Sequence, residues 1–97
     1  MIFTDGVHLV STLLGAAGKR ELHDFADSIG LKRCWYRRGH YDLGVAVGDF
    51  RLAYFAKAIK AGAQITSRRE CARYRRRTMT GVEWHLQRIL YGGKDAR

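Results

Sequence analysis

Hydrophobic positions along the chain fall into short β-rich runs and longer stretches of helical spacing. Residues 1–4 read as a short strand, closed by the turn signal Asp5-Gly6. Residues 7–11 are β-rich and predict a second strand. Residues 13–18 are small and Gly/Ala-rich, which predicts a loop or a weak helical turn. Residues 19–29 predict a helix, because Leu22, Phe25, Ala26 and Ile29 share one face. Gly30 follows, where a left-handed residue ends a helix at little cost.

Residues 33–37, with Cys34-Trp35-Tyr36 at their centre, predict a strand, and residues 39–48 a glycine-bounded loop. Asp49 is placed to cap a helix reaching about Ala61, with Leu52, Phe55, Ala56 and Ile59 as its buried stripe and Gly62 as its stop. Residues 64–66 predict a short strand. Ser67-Arg68-Arg69-Glu70 matches a capping box, and the helix after it carries Cys71 and Tyr74 inward and arginines outward. Thr80-Gly81-Val82-Glu83 matches a second capping box, before a last helix with Val82, Leu86, Ile89 and Leu90 on one side. Alternating strands and helices predict an α/β fold: a single small domain, with a sheet of three to four short strands packed against three to four helices.

A chain of 97 residues supports one modest core. It has no apolar run of the roughly 18 residues that a membrane span requires. The opening Met1-Ile2-Phe3-Thr4-Asp5 lacks the basic region of a secretory signal, so a cytoplasmic location without a membrane partner is expected. Cys34 and Cys71 are too few for a zinc cluster and read as small buried hydrophobes without a disulfide. The formal net charge is +9 and uneven. Residues 1–67 hold nine basic and six acidic side chains, whereas residues 68–97 hold nine and three. Such a field attracts polyanions: nucleic acid, a nucleotide or an acidic protein surface.

Residues 1–11, Glu21-Leu22-His23-Asp24-Phe25-Ala26, Ile29-Gly30-Leu31, Arg33 with Trp35 and Tyr36, His40-Tyr41-Asp42-Leu43, Arg51, Ala58, Gly62-Ala63 and Thr66-Ser67-Arg68-Arg69-Glu70 form a combination of segments. Together they resemble domain of unknown function 4031, a small family of bacteria and their phages. The resemblance covers about residues 1–75 and implies an α/β core there, with residues 76–97 as a basic helical extension packed on the same domain. Residues 13–18 look like an insertion. The resemblance supplies motif positions and no reaction; an accessory role, in counter-defence for example, is what a phage setting implies.

Two carboxylates and two imidazoles, Asp5, His8, His40 and Asp42, are the ingredients of a divalent-metal or acid/base site. Plainer readings exist: Asp5 as a turn residue, His8 as a core histidine, and His40-x-Asp42 as a loop fixed by hydrogen bonds from backbone amides to the Asp. As ligands they suit Mn²⁺, Zn²⁺ or Fe²⁺; Mg²⁺, the remaining cofactor candidate, prefers oxygen alone. A bound metal would make a nucleophile from water. Without one, a histidine would act as general base. No P-loop or Gly-x-Gly-x-x-Gly is present, which disfavours an NTPase or a dinucleotide dehydrogenase.

Arg37, Arg38, Tyr41, Ser67, Arg68, Arg69 and Arg73 are the candidate ligand-binding residues. The amides at Ser67 and the cations of the next turn suit a phosphate. His23 reads as structural. Trp84, off the stripe of its helix, is a candidate stacking residue. Three functions are compatible with these residues. The first is a basic accessory protein binding a phosphate-bearing ligand, nucleic acid or nucleotide. The second is a metal-dependent nuclease or phosphodiesterase using Asp5, His8, His40 and Asp42. The third is an interaction module that forms homo-oligomers through Val82, Leu86, Ile89 and Leu90.

Overall fold

The computed structural model describes residues 1–43 and 49–79. They form a small α/β domain, with a five-stranded mixed sheet and three helices. Strand β1 (Ile2–Thr4) turns at Asp5-Gly6 into β2 (His8–Ser11). Helix α1 (Gly15–Ser28) follows, then a 3₁₀ turn (Arg33–Trp35) and the hairpin of β3 (Tyr36–Arg37) and β4 (His40–Asp42). Helix α2 (Asp49–Lys60), β5 (Gln64–Ile65) and α3 (Arg68–Thr78) complete it. The sheet order is β3-β4-β2-β1-β5. All neighbours are antiparallel except β1 and β5, which run parallel.

Strand alternation assigns side chains to the two faces of the sheet. The register pairs Ile2 with Ser11, Phe3 with Val10 and Thr4 with Leu9. Ile2 and Leu9 therefore face one way, and join Leu22, Ala26, Ile29, Leu31, Tyr41, Leu43, Ala58 and Ala63 in the core beneath α1 and α2. Phe3, His8 and Val10 face the other way, towards α3. There the Tyr74 ring packs on Phe3 with centroids 5.4 Å apart. The sheet is thus a middle layer between helices.

Four local differences from the sequence expectations have identifiable causes. Helix α1 begins at Gly15 rather than Lys19, because tertiary contact favours its Gly/Ala-rich first turn. Gly18 is buried there, and a Cβ at that position would collide with the Leu13 carbonyl and the Thr78 hydroxyl of α3. Residues 33–35 wind into a 3₁₀ turn instead of a strand, which turns Cys34 out to solvent. Cys71 alone behaves as a small buried hydrophobe. His40–Asp42, expected in a loop, is a strand, because β2 and β3 both offer it a partner. In α2 the buried position is Ala58, with Tyr54 and Phe55 half-buried against the core, while Ala56 and Ile59 are exposed. The T-shaped contact of Tyr54 with Trp35, centroids 5.9 Å apart, sets that rotation.

Ser67 caps α3 as its spacing predicts: its hydroxyl accepts from the Glu70 amide at 3.1 Å. The Glu70 carboxylate turns to Arg73 instead, at 3.4 Å. Helix α3 also runs unbroken across residues 75 and 76, where the basic extension was expected to begin. No described helix is long and apolar enough to cross a membrane. Leu52 as a core side chain, the cap at Thr80, Trp84 and the stripe Val82, Leu86, Ile89 and Leu90 lie outside the described side chains.

Candidate functional site

His8 and Asp42 face each other across β2 and β4. The Leu43 amide donates to the Val7 carbonyl at 2.6 Å, just beyond that pair. His8 and Asp42 are therefore a non-hydrogen-bonded pair, the kind whose side chains stand closest. His40 lies two residues from Asp42 and so on the same face. Its ring meets that of His8 edge-on, centroids 5.4 Å apart. One ligand atom from each of His8, His40 and Asp42 lies within 4.8 Å of the others.

The hairpin that delivers His40 depends on two left-handed residues. Arg37 pairs with His40, so Arg38 and Gly39 form the two-residue turn, with φ of 35° and 90°. Mirror-image hairpin turns require such angles. Gly39 serves a second purpose: a Cβ there would collide with the Arg75 carbonyl. The missing side chain thus lets the hairpin close against α3.

Asp5 joins the cluster differently from the sequence expectation of a ligand. One of its oxygens accepts from the Val7 and His8 amides at 2.9 and 2.7 Å. The other lies 2.8 Å from His8 Nδ1. Burial alone would raise its pKa, but the His8 ring and these amides lower it to about 2. Asp5 is thus an anion at neutral pH and only accepts, so Nδ1 of His8 carries the proton. Nε2 is left as the donor atom available to a ligand. Carboxylates commonly hold metal-binding histidines in this way.

His40 is 7% exposed, and its Nδ1 has no hydrogen-bond partner among the described residues. Burial lowers its pKa to about 3, helped by the Arg75 guanidinium and by His8, and opposed by the Arg38 carbonyl. The ring is therefore neutral at neutral pH, as a metal ligand must be.

Helix α3 roofs the cluster. Arg68, Cys71, Ala72 and Arg75 enclose a cavity of about 20 Å³ over His8 and Val10. An open cleft of about 380 Å³ beside it is lined by Asp5, Val7, His8, Asp42 and Arg68. The Cys71 thiol is pushed up to about 12 by burial and then by the Asp5 charge, so it stays protonated and is not the reactive group.

The other expected residues are dispersed. Tyr41 does not line the site: alternation along β4 sends it to the opposite face. There it is fully buried, with its hydroxyl 2.6 Å from His23 Nδ1. Arg37 is exposed on the edge strand opposite His40, and Arg38 sits half-buried in the turn. The Ser67 hydroxyl is engaged in its cap. Arg68 reaches the cleft, whereas Arg69 and Arg73 are exposed on the far side of α3. Arg75 belongs to the site and was not singled out among the arginines. Its spacing of seven from Arg68, two helical turns, is the signal that places both on one face.

The family model for "Protein of unknown function (DUF4031)" matches residues 4–78. The chain belongs to this family. The matched span of this DUF4031 protein contains every strand end and helix that builds the cluster, including all of α3. No curated protein and no solved structure matches the chain.

Proposed function

We propose that this DUF4031 protein is a divalent-metal-dependent hydrolase of phosphate esters in a nucleotide or nucleic acid. The observation that carries this reading is the convergence of His8, His40 and Asp42 within 4.8 Å of one another. Two imidazoles and one carboxylate suit Zn²⁺, Mn²⁺ or Fe²⁺ better than Mg²⁺. A metal would also explain why a buried imidazole nitrogen of His40 has no partner, an arrangement that otherwise costs about 1–3 kcal/mol.

In this reading each residue has a defined task. His8 and His40 donate lone pairs, and Asp42 supplies negative charge. Asp5 fixes the tautomer and direction of the His8 ring. Arg68, on the rim of the cleft, holds a phosphate oxygen and balances its charge. The metal, when bound, would acidify a water towards neutral pH and so supply the nucleophile. The open cleft, with Arg68 on its rim opposite Asp42, leaves room for the ester.

The test is a thermal-shift titration of chelator-treated protein with Zn²⁺, Mn²⁺ and Mg²⁺, alongside hydrolysis of bis(4-nitrophenyl) phosphate. The expected result is stabilisation by Zn²⁺ or Mn²⁺ exceeding that by Mg²⁺. Turnover should require the same metal, and His40→Ala should abolish both. Turnover that persists in His40→Ala, or no metal response at all, refutes the reading. A second reading, binding of a phosphate-bearing ligand without turnover, draws on Arg68 at the cleft and the net charge of +9. It predicts stabilisation by a nucleotide in the presence of chelator, lost in Arg68→Ala.

A further inference from the structure

The arginines of α3 divide between two faces of the helix. Arg68, itself exposed at the rim, and Arg75 share the face of Cys71 and Ala72 that looks over the sheet. Arg69, Arg73 and Arg77 recur every four residues, and all three are exposed. They form a row along the outer face, with Arg76 half-buried beside it. Glu70 is the only acid in the helix and engages Arg73 at 3.4 Å. The Arg77 guanidinium lies 5.8 Å from the centre of the Tyr74 ring, which itself rests on Phe3.

Only part of this arrangement serves the helix itself: Arg73 pairs with Glu70, and Arg77 stands in the last turn, where a cation suits the dipole. Like charges four residues apart repel one another. Arg68 and Arg69 also stand in the first turn, where cations oppose the helix dipole. Successive members of the row are about 6 Å apart along the axis. That repeat is comparable to the spacing of phosphates on an extended nucleic-acid strand. The row also has a direction: Arg69 is the neighbour of Arg68, and Arg68 lines the cleft with His8 and Asp42.

We propose that the outer face of α3 is a track for the phosphodiester backbone of a nucleic-acid strand, with Arg69, Arg73 and Arg77 holding phosphates and Arg68 leading the strand into the cleft. This deepens the hydrolase reading, on which it rests for the cleft, and makes the substrate a polymer rather than a mononucleotide. Contacts confined to phosphates fix the position of the strand and carry no base preference. Binding along the row requires no metal.

The experiment is fluorescence anisotropy of a short labelled DNA strand, and separately of RNA, in chelator, over about 50 to 200 mM salt. The protein is compared with its R69Q/R73Q/R77Q and R69K/R73K/R77K variants. The glutamine variant should bind at least about tenfold more weakly at low salt and lose about 2 units of the log–log salt slope. Its melting temperature should change little, since relief of like-charge repulsion offsets the lost pair of Arg73 with Glu70. The lysine variant should keep most of the slope, because phosphate contacts need charge more than a particular fork.

Equal slope and affinity in all three proteins would overturn the track. So would displacement of the strand by adenosine monophosphate as effectively as by unlabelled strand at equal phosphate. Retention on phosphatidylserine vesicles but not on DNA or RNA would overturn it as well, in favour of a membrane surface. A slope that falls in the glutamine variant while the parent protein hydrolyses no phosphodiester would support the track and remove the hydrolase reading.

Discussion

On the α1 side of the sheet, Leu9, Tyr41 and Leu43 meet Leu22 and Ala26 in a dry interior with every one of these side chains fully buried. On the α3 side, His8, His40 and Asp42 meet Arg68 and Arg75 around a cavity and an open cleft. The same strands build both faces. In β4, Tyr41 points to one and His40 and Asp42 to the other. The difference teaches where folding free energy and chemistry reside. A fully buried leucine contributes about 1.5–3 kcal/mol through removal of apolar area from water. The opposite face instead keeps an imidazole nitrogen without a partner and the Arg75 guanidinium close to that ring, arrangements that cost stability.

This contrast breaks first if the apolar face is not the source of stability. Leu22→Ala should lower the unfolding free energy by about 2–5 kcal/mol in urea titration. The response of the remaining folded protein to metal should be retained. A loss below about 1 kcal/mol would mean that α1 contributes little to the core.

His40 sharpens the contrast from the other side. Its pKa is near 3 in the folded protein, against 6.5 for an ordinary histidine. Below pH 6.5 the unfolded chain binds a proton that the native chain refuses. Stability is therefore present above pH 6.5 and declines as pH falls towards 3, by about 3 to 5 kcal/mol in all. His40→Leu should flatten that decline and make the metal-free protein as stable as the parent or more so. It should also remove metal stabilisation, which at a hundredfold excess over Kd is worth about 2.7 kcal/mol. Denaturation midpoints between pH 7 and 4, with and without Zn²⁺, measure both effects.

Asp5 gives a smaller effect in a separate pH window. Its pKa falls from 3.8 to about 2, so its contribution is complete above pH 3.8 and is lost as pH falls through 2. Asp5→Asn should cost about 2 kcal/mol at pH 7 and almost nothing at pH 2. It should also weaken metal binding about 10–100-fold by releasing the His8 ring. Unchanged metal affinity, read by competition with a chromophoric chelator, would mean that His8 is held by other means. The smallest effect belongs to the helix that covers the polar face. Ser67→Ala should cost about 1 kcal/mol through the lost cap, read from urea midpoints.

Much of the local structure was legible in the sequence because its causes are local. The Asp5-Gly6 turn, the stripe of Leu22 and Ala26 on α1, and the Ser67 cap depend on neighbours within about one helical turn. Gly30 and Gly62 stand just past α1 and α2 with positive φ, as their positions imply. What depends on distant partners was misread. Residues 13–18 lack apolar spacing, and the entry to α1 is held from afar by Thr78, whose hydroxyl donates to the Leu13 carbonyl at 3.2 Å. Cys34 precedes Trp35 and Tyr36, yet the 3₁₀ turn faces it outward.

The sequence by itself determined the inventory of candidate groups: two imidazoles and two carboxylates close to Gly6 and Gly39, and a helix loaded with arginine. It also determined the alternation that any strand through His40-Tyr41-Asp42 must obey. Tertiary structure alone decided that this segment is a strand and that its register sets Asp42 opposite His8. It separated the ligand candidates His8, His40 and Asp42 from Asp5, which holds the His8 ring, and from Tyr41, which belongs to the core. The physical reason is that side-chain direction in a strand is fixed locally by the pleat, whereas the face that becomes the core is chosen by which helix packs where.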